Sequence, residues 1–286
     1  MKYLTPLHHD NFEEIPPRDG FGQGLLELGK TNPDGVALCG DLVESIRVQA
    51  FAEAYPERYI EMGVAEQNMA GVAAGLALAG KIPFISSYAV FSPGRNWDQI
   101  RVSICYSKAN VKIVGAHAGI SVGPDGATHQ ALEDIAITRV LPNMTVVVPT
   151  DSVEAKKATI AIAKHHGPCY IRFGREKTPG ITKDETPFEL GKALAILVGD
   201  DVTIIANGQM VARAMMAAKE LDDKISVGVL NMHTVKPIDA KAIIDVAKET
   251  GAIVTAEEHQ IIGGLGSAVA EVLGDHHPVP LERVGI

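Results

Sequence analysis

Cysteine is scarce in this 286-residue chain: Cys39, Cys105 and Cys169 are odd in number and far apart. Their scarcity excludes a disulfide framework, their wide spacing excludes a paired zinc site, and they read as buried thiols. Positive charge is also in deficit, with 26 Lys and Arg against 35 Asp and Glu and a net charge of −9. That balance opposes non-specific binding to nucleic acid or to anionic membranes, so an anionic ligand has to be held by a local cluster. No apolar run approaches the roughly 20 residues of a membrane span. Met1 to Asp10 carries no apolar signal region, and the resulting expectation is a cytoplasmic protein. A Gly-x-x-x-x-Gly-Lys-Ser/Thr loop is missing as well, which removes the commonest nucleotide-phosphate cradle.

The chain does have abundant apolar residues, 46% of the total, enough for a sizeable core. Short β-rich runs (Val36 to Cys39, Ile82 to Ile85, Val111 to Val114, Thr145 to Val148, Val202 to Ile205, Ala252 to Thr255) alternate with Ala-rich stretches. This alternation predicts an α/β protein whose mostly parallel sheets are flanked by helices. The clearest helix spans about Ala65 to Ala79, where Met69, Val72 and Leu76 recur at helical spacing and small residues surround them. It reads as buried. Between Glu176 and Pro187 the hydrophobic period stops and Pro179, Gly180 and Pro187 intervene, marking a domain boundary. Three strand-helix repeats, starting at Leu190, Ile225 and Ala252, are expected after it.

Two glycine clusters resemble dinucleotide loops but fit poorly. Gly20-Phe-Gly22-Gln-Gly24 follows Pro16-Pro17 rather than a strand, and Gly263-Gly264-Leu-Gly266 lacks the required third spacing. Helix-entry turns or tight packing explain them better. Glu66 stands out because Val64, Ala65, Met69, Ala70 and Val72 around it are small or apolar. A desolvated carboxylate suits acid-base chemistry, whereas the plainer reading, favoured by pattern alone, is an acid at a helix N-terminus.

The segment Gly115 to Gln130 is richer, since it follows a Val/Ile strand and brings His117, Asp125 and His129 into a glycine-rich loop. Ligand sites of parallel sheets lie at such strand ends, although the spacing of twelve between the histidines matches no metal pattern. Tyr88, Phe91 and Trp97 are three of only 14 aromatic residues and flank Ser92-Pro93-Gly94-Arg95. They suit stacking on a flat heterocycle, or a core patch. Arg172 and Arg175 offer fixed guanidinium donors to a phosphate or carboxylate, with solvated surface arginines as the alternative.

Taken in order, Gly63-Val-Ala-Glu66-Gln-Asn-Met69, Tyr88 to Arg101, Gly123-Pro-Asp-Gly-Ala-Thr-His-Gln130 and Leu141 to Pro149 resemble the C-terminal half of transketolase. The resemblance covers essentially the whole chain. It implies a pyrimidine-binding domain of a thiamine diphosphate enzyme over residues 1–178, a linker over 179–189 and a transketolase C-terminal-like domain over 190–286. In that family the glutamate matching Glu66 hydrogen-bonds the cofactor's aminopyrimidine and promotes its nucleophilic form. A two-carbon ketol unit then passes from a ketose phosphate to an aldose phosphate, in the chemistry of the pentose phosphate pathway.

By the same resemblance, Tyr88 and Phe91 stack on the pyrimidine, Asp41 and Leu42 flank the cofactor, and Arg95 takes a variable position in that pocket. Glu66 and His129 carry the catalytic roles. The substrate channel takes His117, His129 and Asp125, with Arg18, Ser45 and Arg175 at the terminal phosphate. No Gly-Asp-Gly sequence is present, so the diphosphate and its Mg²⁺ or Ca²⁺ are expected on another polypeptide. That makes the chain the C-terminal subunit of a split transketolase, in an α2β2 assembly with an N-terminal partner. Competing readings are a 2-oxo acid dehydrogenase β-like subunit, a 1-deoxy-xylulose-5-phosphate synthase-like subunit, or a non-catalytic regulator on the same fold.

Overall fold

The computed structural model describes residues 13–286, so the reading of the first ten residues lies outside the described part. In chain order the elements begin β1 (Glu14–Ile15), α1 (Pro17–Thr31), β2 (Gly35–Cys39), α2 (Gln49–Ala54), β3 (Tyr59–Glu61), α3 (Glu66–Leu78) and β4 (Ile82–Tyr88). They continue as α4 (Trp97–Gln99), which runs into a π-helical segment, then β5 (Lys112–Ala116), α5 (Asp134–Arg139), β6 (Thr145–Val147), α6 (Ser152–Lys164), β7 (Cys169–Arg172) and β8 (Thr178–Pro179). The remainder comprises β9 (Leu194–Leu197), β10 (Val202–Ala206), α7 (Met210–Leu221), β11 (Val227–Asn231), β12 (Thr234–Lys236), α8 (Ala240–Thr250), β13 (Ile253–Ala256), α9 (Leu265–His276) and β14 (Leu281–Val284).

A seven-stranded sheet in the order β12-β6-β7-β5-β4-β2-β3 is parallel except at β12, and a five-stranded sheet in the order β14-β13-β10-β11-β9 is parallel except at β9. This is the α/β architecture that the alternating runs predict. Strand residues point alternately to the two faces. Leu38, Ile113 and Val146 accordingly join a core that also holds Ile205, Leu230 and Ile253 of the second sheet. Their neighbours Ala37, Val114 and Val147 face the opposite way, towards Phe21, Ala158 and Ile162 of α1 and α6. Because β2 and β5 are buried at every position, their sequences do not alternate: β2 is apolar throughout, and β5 is so after Lys112, whose buried ammonium donates to the His165 and Gly167 carbonyls.

Gly20 and Gly24 lie inside α1, not in a turn, and serve close packing. A Cβ on Gly20 would sit 1.8 Å from the Ser152 carbonyl oxygen, and one on Gly24 would sit 2.9 Å from Thr159 Cβ. Asp151 starts α6 by accepting the Glu154 N–H at 2.9 Å, a capping bond of about 1 kcal/mol.

Three expectations change. Helix α3 is not buried all round: Met69, Ala70 and Ala73 are covered, but Leu78 is 71% exposed and Gly71 and Gly75 face open space. Its apolar composition had pointed to cover on every side, and this chain covers one. The segment 176–187, read as a domain boundary, forms a packed strap. Its β8 pairs with β1, and Asp151 accepts the N–H groups of Ile181 and Thr182 at 2.9 and 2.6 Å. Finally, the first repeat after the strap opens with β9, antiparallel to β11, and β12 leaves its own neighbourhood to pair with β6 in the first sheet.

Candidate active site

The adjacent parallel strands β7, β5, β4 and β2 end at one rim. Their registers, Cys39 opposite Ser86, Tyr88 opposite Ala116 and Gly115 opposite Arg172, bring Asp41, Tyr88, His117 and the Arg175 turn to the same edge. This is where parallel sheets present ligand-binding groups. Asp41 and His117 both have left-handed backbones, with φ of 61° and 54°. Such conformations are costly for residues other than glycine and concentrate at functional sites.

Glu66 opens α3 and is 3% exposed. Asn96 holds the start of that helix by donating from Nδ2 to the Glu66 carbonyl oxygen at 3.2 Å and to Ser92 Oγ at 3.1 Å. The Glu66 carboxylate accepts from Arg95 Nη1 at 3.2 and 3.3 Å, one contact to each oxygen. The Arg95 guanidinium carbon lies 4.0 Å from the centre of the Phe91 ring, and the Phe91 ring is parallel to that of Tyr88, with 2° between the planes and 6.1 Å between centroids.

His129 meets both rings edge-on, at 5.2 Å from Phe91 and 6.0 Å from Tyr88. On the other side of Tyr88, His117 packs at 4.4 Å and Ser45 Oγ lies 3.4 Å from the Tyr88 hydroxyl. Arg18 Nη1 donates to the Ser45 carbonyl at 3.1 Å and stands 3.1 Å from His117 Nε2. Burial, reinforced by the charges of Arg18 and Arg175, pushes the His117 pKa down to about 3. Neutral His117 can accept from Arg18 at Nε2, and its Nδ1 is buried without a hydrogen-bond partner among the described groups, as is Arg18 Nε. Buried donors with spare capacity are what a polar ligand needs.

Glu66, Arg95, Phe91, Tyr88, His117, His129, Ser45 and Arg18 thus form one connected cluster. Leu42 packs with Tyr88 against the core beneath it. Asp41 is exposed at the rim, and its N–H donates to Glu61 Oε1 at 2.8 Å. Asp125 and Arg175 face each other at 3.8 Å in the loops after β5 and β7, with Arg175 also donating to the Val122 carbonyl at 2.8 Å.

Arg172 belongs to neither of the roles considered for it. It is buried, donates to Asp134 Oδ2 at 2.8 Å and to the Glu258 carbonyl at 2.6 Å, and so ties the first sheet to the segment after β13. The second glycine cluster is likewise structural, for Glu257 accepts the N–H groups of Leu265 and Gly266 at 2.7 and 2.8 Å. The N-terminus of α9 is therefore filled by the chain's own carboxylate.

Asn96, Ser86 and Ser87 escaped the sequence reading. The two serine hydroxyls are buried at the end of β4 without hydrogen-bond partners among the described groups. Two serines closing the apolar run Ile82 to Ile85 were the available signal. Among the described residues no cluster of His, Cys, Asp and Glu has the makings of a metal site.

Residues 13–180 match the transketolase pyrimidine binding domain and residues 191–286 match the transketolase C-terminal domain. The chain belongs to the transketolase family. It is 47% identical over 275 residues to the 6-deoxy-6-sulfo-D-fructose transketolase subunit SqwH of Clostridium sp. (strain MSTE9), covering 96% of this chain and 85% of that protein. It is 48% identical over 273 residues to a putative transketolase C-terminal section of Methanocaldococcus jannaschii, covering 94% and 85%. Against mouse transketolase the identity is 37% and only 46% of that longer chain is spanned. A split gene transketolase, solved as an inactive beta4 tetramer, superposes with a TM-score of 0.89 at 48% identity, covering 96% of this chain and 90% of that one.

Membership in the transketolase family implies thiamine diphosphate, and the cluster fits the pyrimidine half of that cofactor. Glu66 offers a buried acceptor pair, and the Phe91 face already takes a flat cation at stacking distance. No helix among the described residues is long and apolar enough to cross a membrane.

Proposed function

We propose that this chain is the C-terminal subunit of a split transketolase that moves a two-carbon ketol unit from a ketose phosphate to an aldose phosphate. The observation that carries this reading is the buried Glu66 carboxylate beside the parallel Phe91 and Tyr88 rings, at the same rim as the Arg18–His117 pair. Residues 1–178 act as the pyrimidine-binding domain, 179–189 as the linker and 190–286 as the C-terminal domain.

Thiamine diphosphate, when bound, supplies a stabilised nucleophilic carbon and an electron sink. Glu66 shares a proton with the pyrimidine ring, Phe91 and Tyr88 stack beside it, and Asp41, Leu42 and Arg95 border the same pocket. His129, at the edge of both rings, exchanges protons with substrate oxygens. Neutral His117 donates from Nδ1 to the sugar, Asp125 reads a chain hydroxyl, and Arg18, Ser45 and Arg175 bind the terminal phosphate. Cations there suit an anion, and the acid is kept for a hydroxyl donor.

A partner subunit supplies the diphosphate and Mg²⁺ or Ca²⁺ site, giving an α2β2 enzyme. The uncovered apolar face of α3 next to Glu66, the match to less than half of whole transketolases, and the inactive beta4 state of the similar split enzyme all support a second polypeptide. The test is co-expression with a pyrophosphate-domain subunit, followed by an assay of ketol transfer with thiamine diphosphate and Mg²⁺. Activity is expected only for the pair. Tight, Mg²⁺-dependent cofactor binding by the purified chain alone, measured by calorimetry, would overturn the split arrangement.

A further inference from the structure

Arg95 makes an unusual pair of contacts. Its guanidinium is flat, it lies over the face of Phe91 at 4.0 Å, and it donates to both oxygens of Glu66. A planar cation stacked on an aromatic ring, with one nitrogen, Nη1, donating to a buried carboxylate, has the shape and charge of a ring-protonated pyrimidine whose ring N–H meets that acid. We propose that the Arg95 side chain is a built-in stand-in for the cofactor's pyrimidine, occupying the ground between Glu66 and Phe91 and rotating out before that ring can bind. The inference rests on the reading above, that Glu66 meets the pyrimidine.

The surroundings suit a side-chain gate and no larger movement. The backbone beneath Arg95 is anchored, with its N–H bonded to the Phe91 carbonyl at 2.8 Å and the next residue, Asn96, fixed to Glu66 and Ser92. The Arg95 side chain itself is 49% exposed against 4% for Glu66, so it has a path to solvent that the carboxylate lacks. Arg95 thereby shields a buried acid that would otherwise have no charged partner, and sets how much of the cofactor's binding energy goes into displacing it.

The test measures thiamine diphosphate affinity by calorimetry in the complex of this chain with its pyrophosphate-domain subunit and Mg²⁺. Arg95→Ala should bind the cofactor about tenfold more tightly than wild type, the loss of a partly exposed ion pair and a cation–π contact. Arg95→Lys keeps the charge without the flat face and should fall between them. Guanidinium chloride at millimolar concentration should weaken cofactor binding to the Arg95→Ala complex more than sodium chloride does, and should leave the wild type no more sensitive than to sodium chloride. Affinity unchanged or weakened in Arg95→Ala, or guanidinium acting only as salt does, would overturn the proposal while leaving the functional reading intact. A wild-type complex that bound no thiamine diphosphate would overturn both.

Discussion

Three buried glutamates, in different parts of the molecule, meet different fates. Glu257, in the C-terminal part, gives both oxygens to backbone N–H groups at the start of α9. Glu154, in the first turn of α6, accepts from the Thr150 N–H at 2.7 Å and from Asn231 Nδ2 at 2.9 Å, which ties α6 to β11 of the second sheet. Glu66 is equally buried, but its carboxylate is met by the half-exposed side chain of Arg95. Burial alone therefore does not mark an active carboxylate. What sets Glu66 apart is that its oxygens meet one half-exposed side chain, whereas a group locked by backbone bonds has no capacity left for a ligand.

The sharpest way to break this comparison is Glu66→Gln, which keeps the shape but cannot share a proton. Ketol transfer in the assembled enzyme should drop by about 10²- to 10⁴-fold with folding and assembly intact. Near-normal turnover would reduce Glu66 to a helix-start acid.

Glu154 should behave in the opposite manner, changing stability and not chemistry. Burial, with Asp151 nearby, raises its pKa to about 8 from an ordinary 4.5. The unfolded chain releases that proton first, so the stabilising contribution is complete below pH 4.5 and is lost as pH rises towards 8. Glu154→Gln should remove this decline, gaining on the wild type by up to about 1.4 kcal/mol per pH unit, or roughly 3 kcal/mol by pH 7. Urea denaturation at pH 5, 6, 7 and 8 checks it, and parallel curves for the two proteins would show that the folded carboxyl titrates normally.

Glu257→Gln retains an acceptor for only one of the two N–H groups. It should cost about 1–3 kcal/mol of stability, read from the same denaturation curves, while cofactor affinity of the assembled enzyme stays unchanged. Loss of cofactor binding without loss of stability would place Glu257 on the wrong side of the comparison.

The smallest effect is expected at the far end of the channel. Arg175→Ala should raise KM for phosphorylated sugars by about tenfold, with little change for a small unphosphorylated donor, as loss of a charge-assisted contact requires. Steady-state kinetics with both donors decide it, and equal effects on the two would remove Arg175 from the phosphate site. An enzyme using pyruvate but no ketose phosphate would favour a 2-oxo acid dehydrogenase-like subunit.

Part of the candidate site was legible in the sequence because Asp41, Tyr88 and His117 lie at or just past the ends of recognisable strands. The apolar runs ending near Cys39, Ile85 and Val114 marked the parallel strands, which stop at Cys39, Tyr88 and Ala116, so that Asp41 and His117 follow strand ends and Tyr88 closes β4. The thiols behave as their scarcity suggested, with burial pushing Cys39 up to about 12 and Cys105 up to about 11. Contacts between distant segments could not be read this way. Arg172 finds Asp134 38 residues away, and the Gly263 cluster is explained only by Glu257 folding back onto it.

What the sequence by itself determined is the set of local choices: strand and helix periods, the glycines that permit close helix packing, and the residue types set at strand ends. These depend on neighbours along the chain, which a reader of the sequence can see. The tertiary structure alone decided that β12 would complete the first sheet, that one face of α3 would stay uncovered, and that Arg95 would lie between Phe91 and Glu66. Those outcomes turn on which surfaces meet across long stretches of chain, where shape and the need to satisfy buried polar groups select the partner.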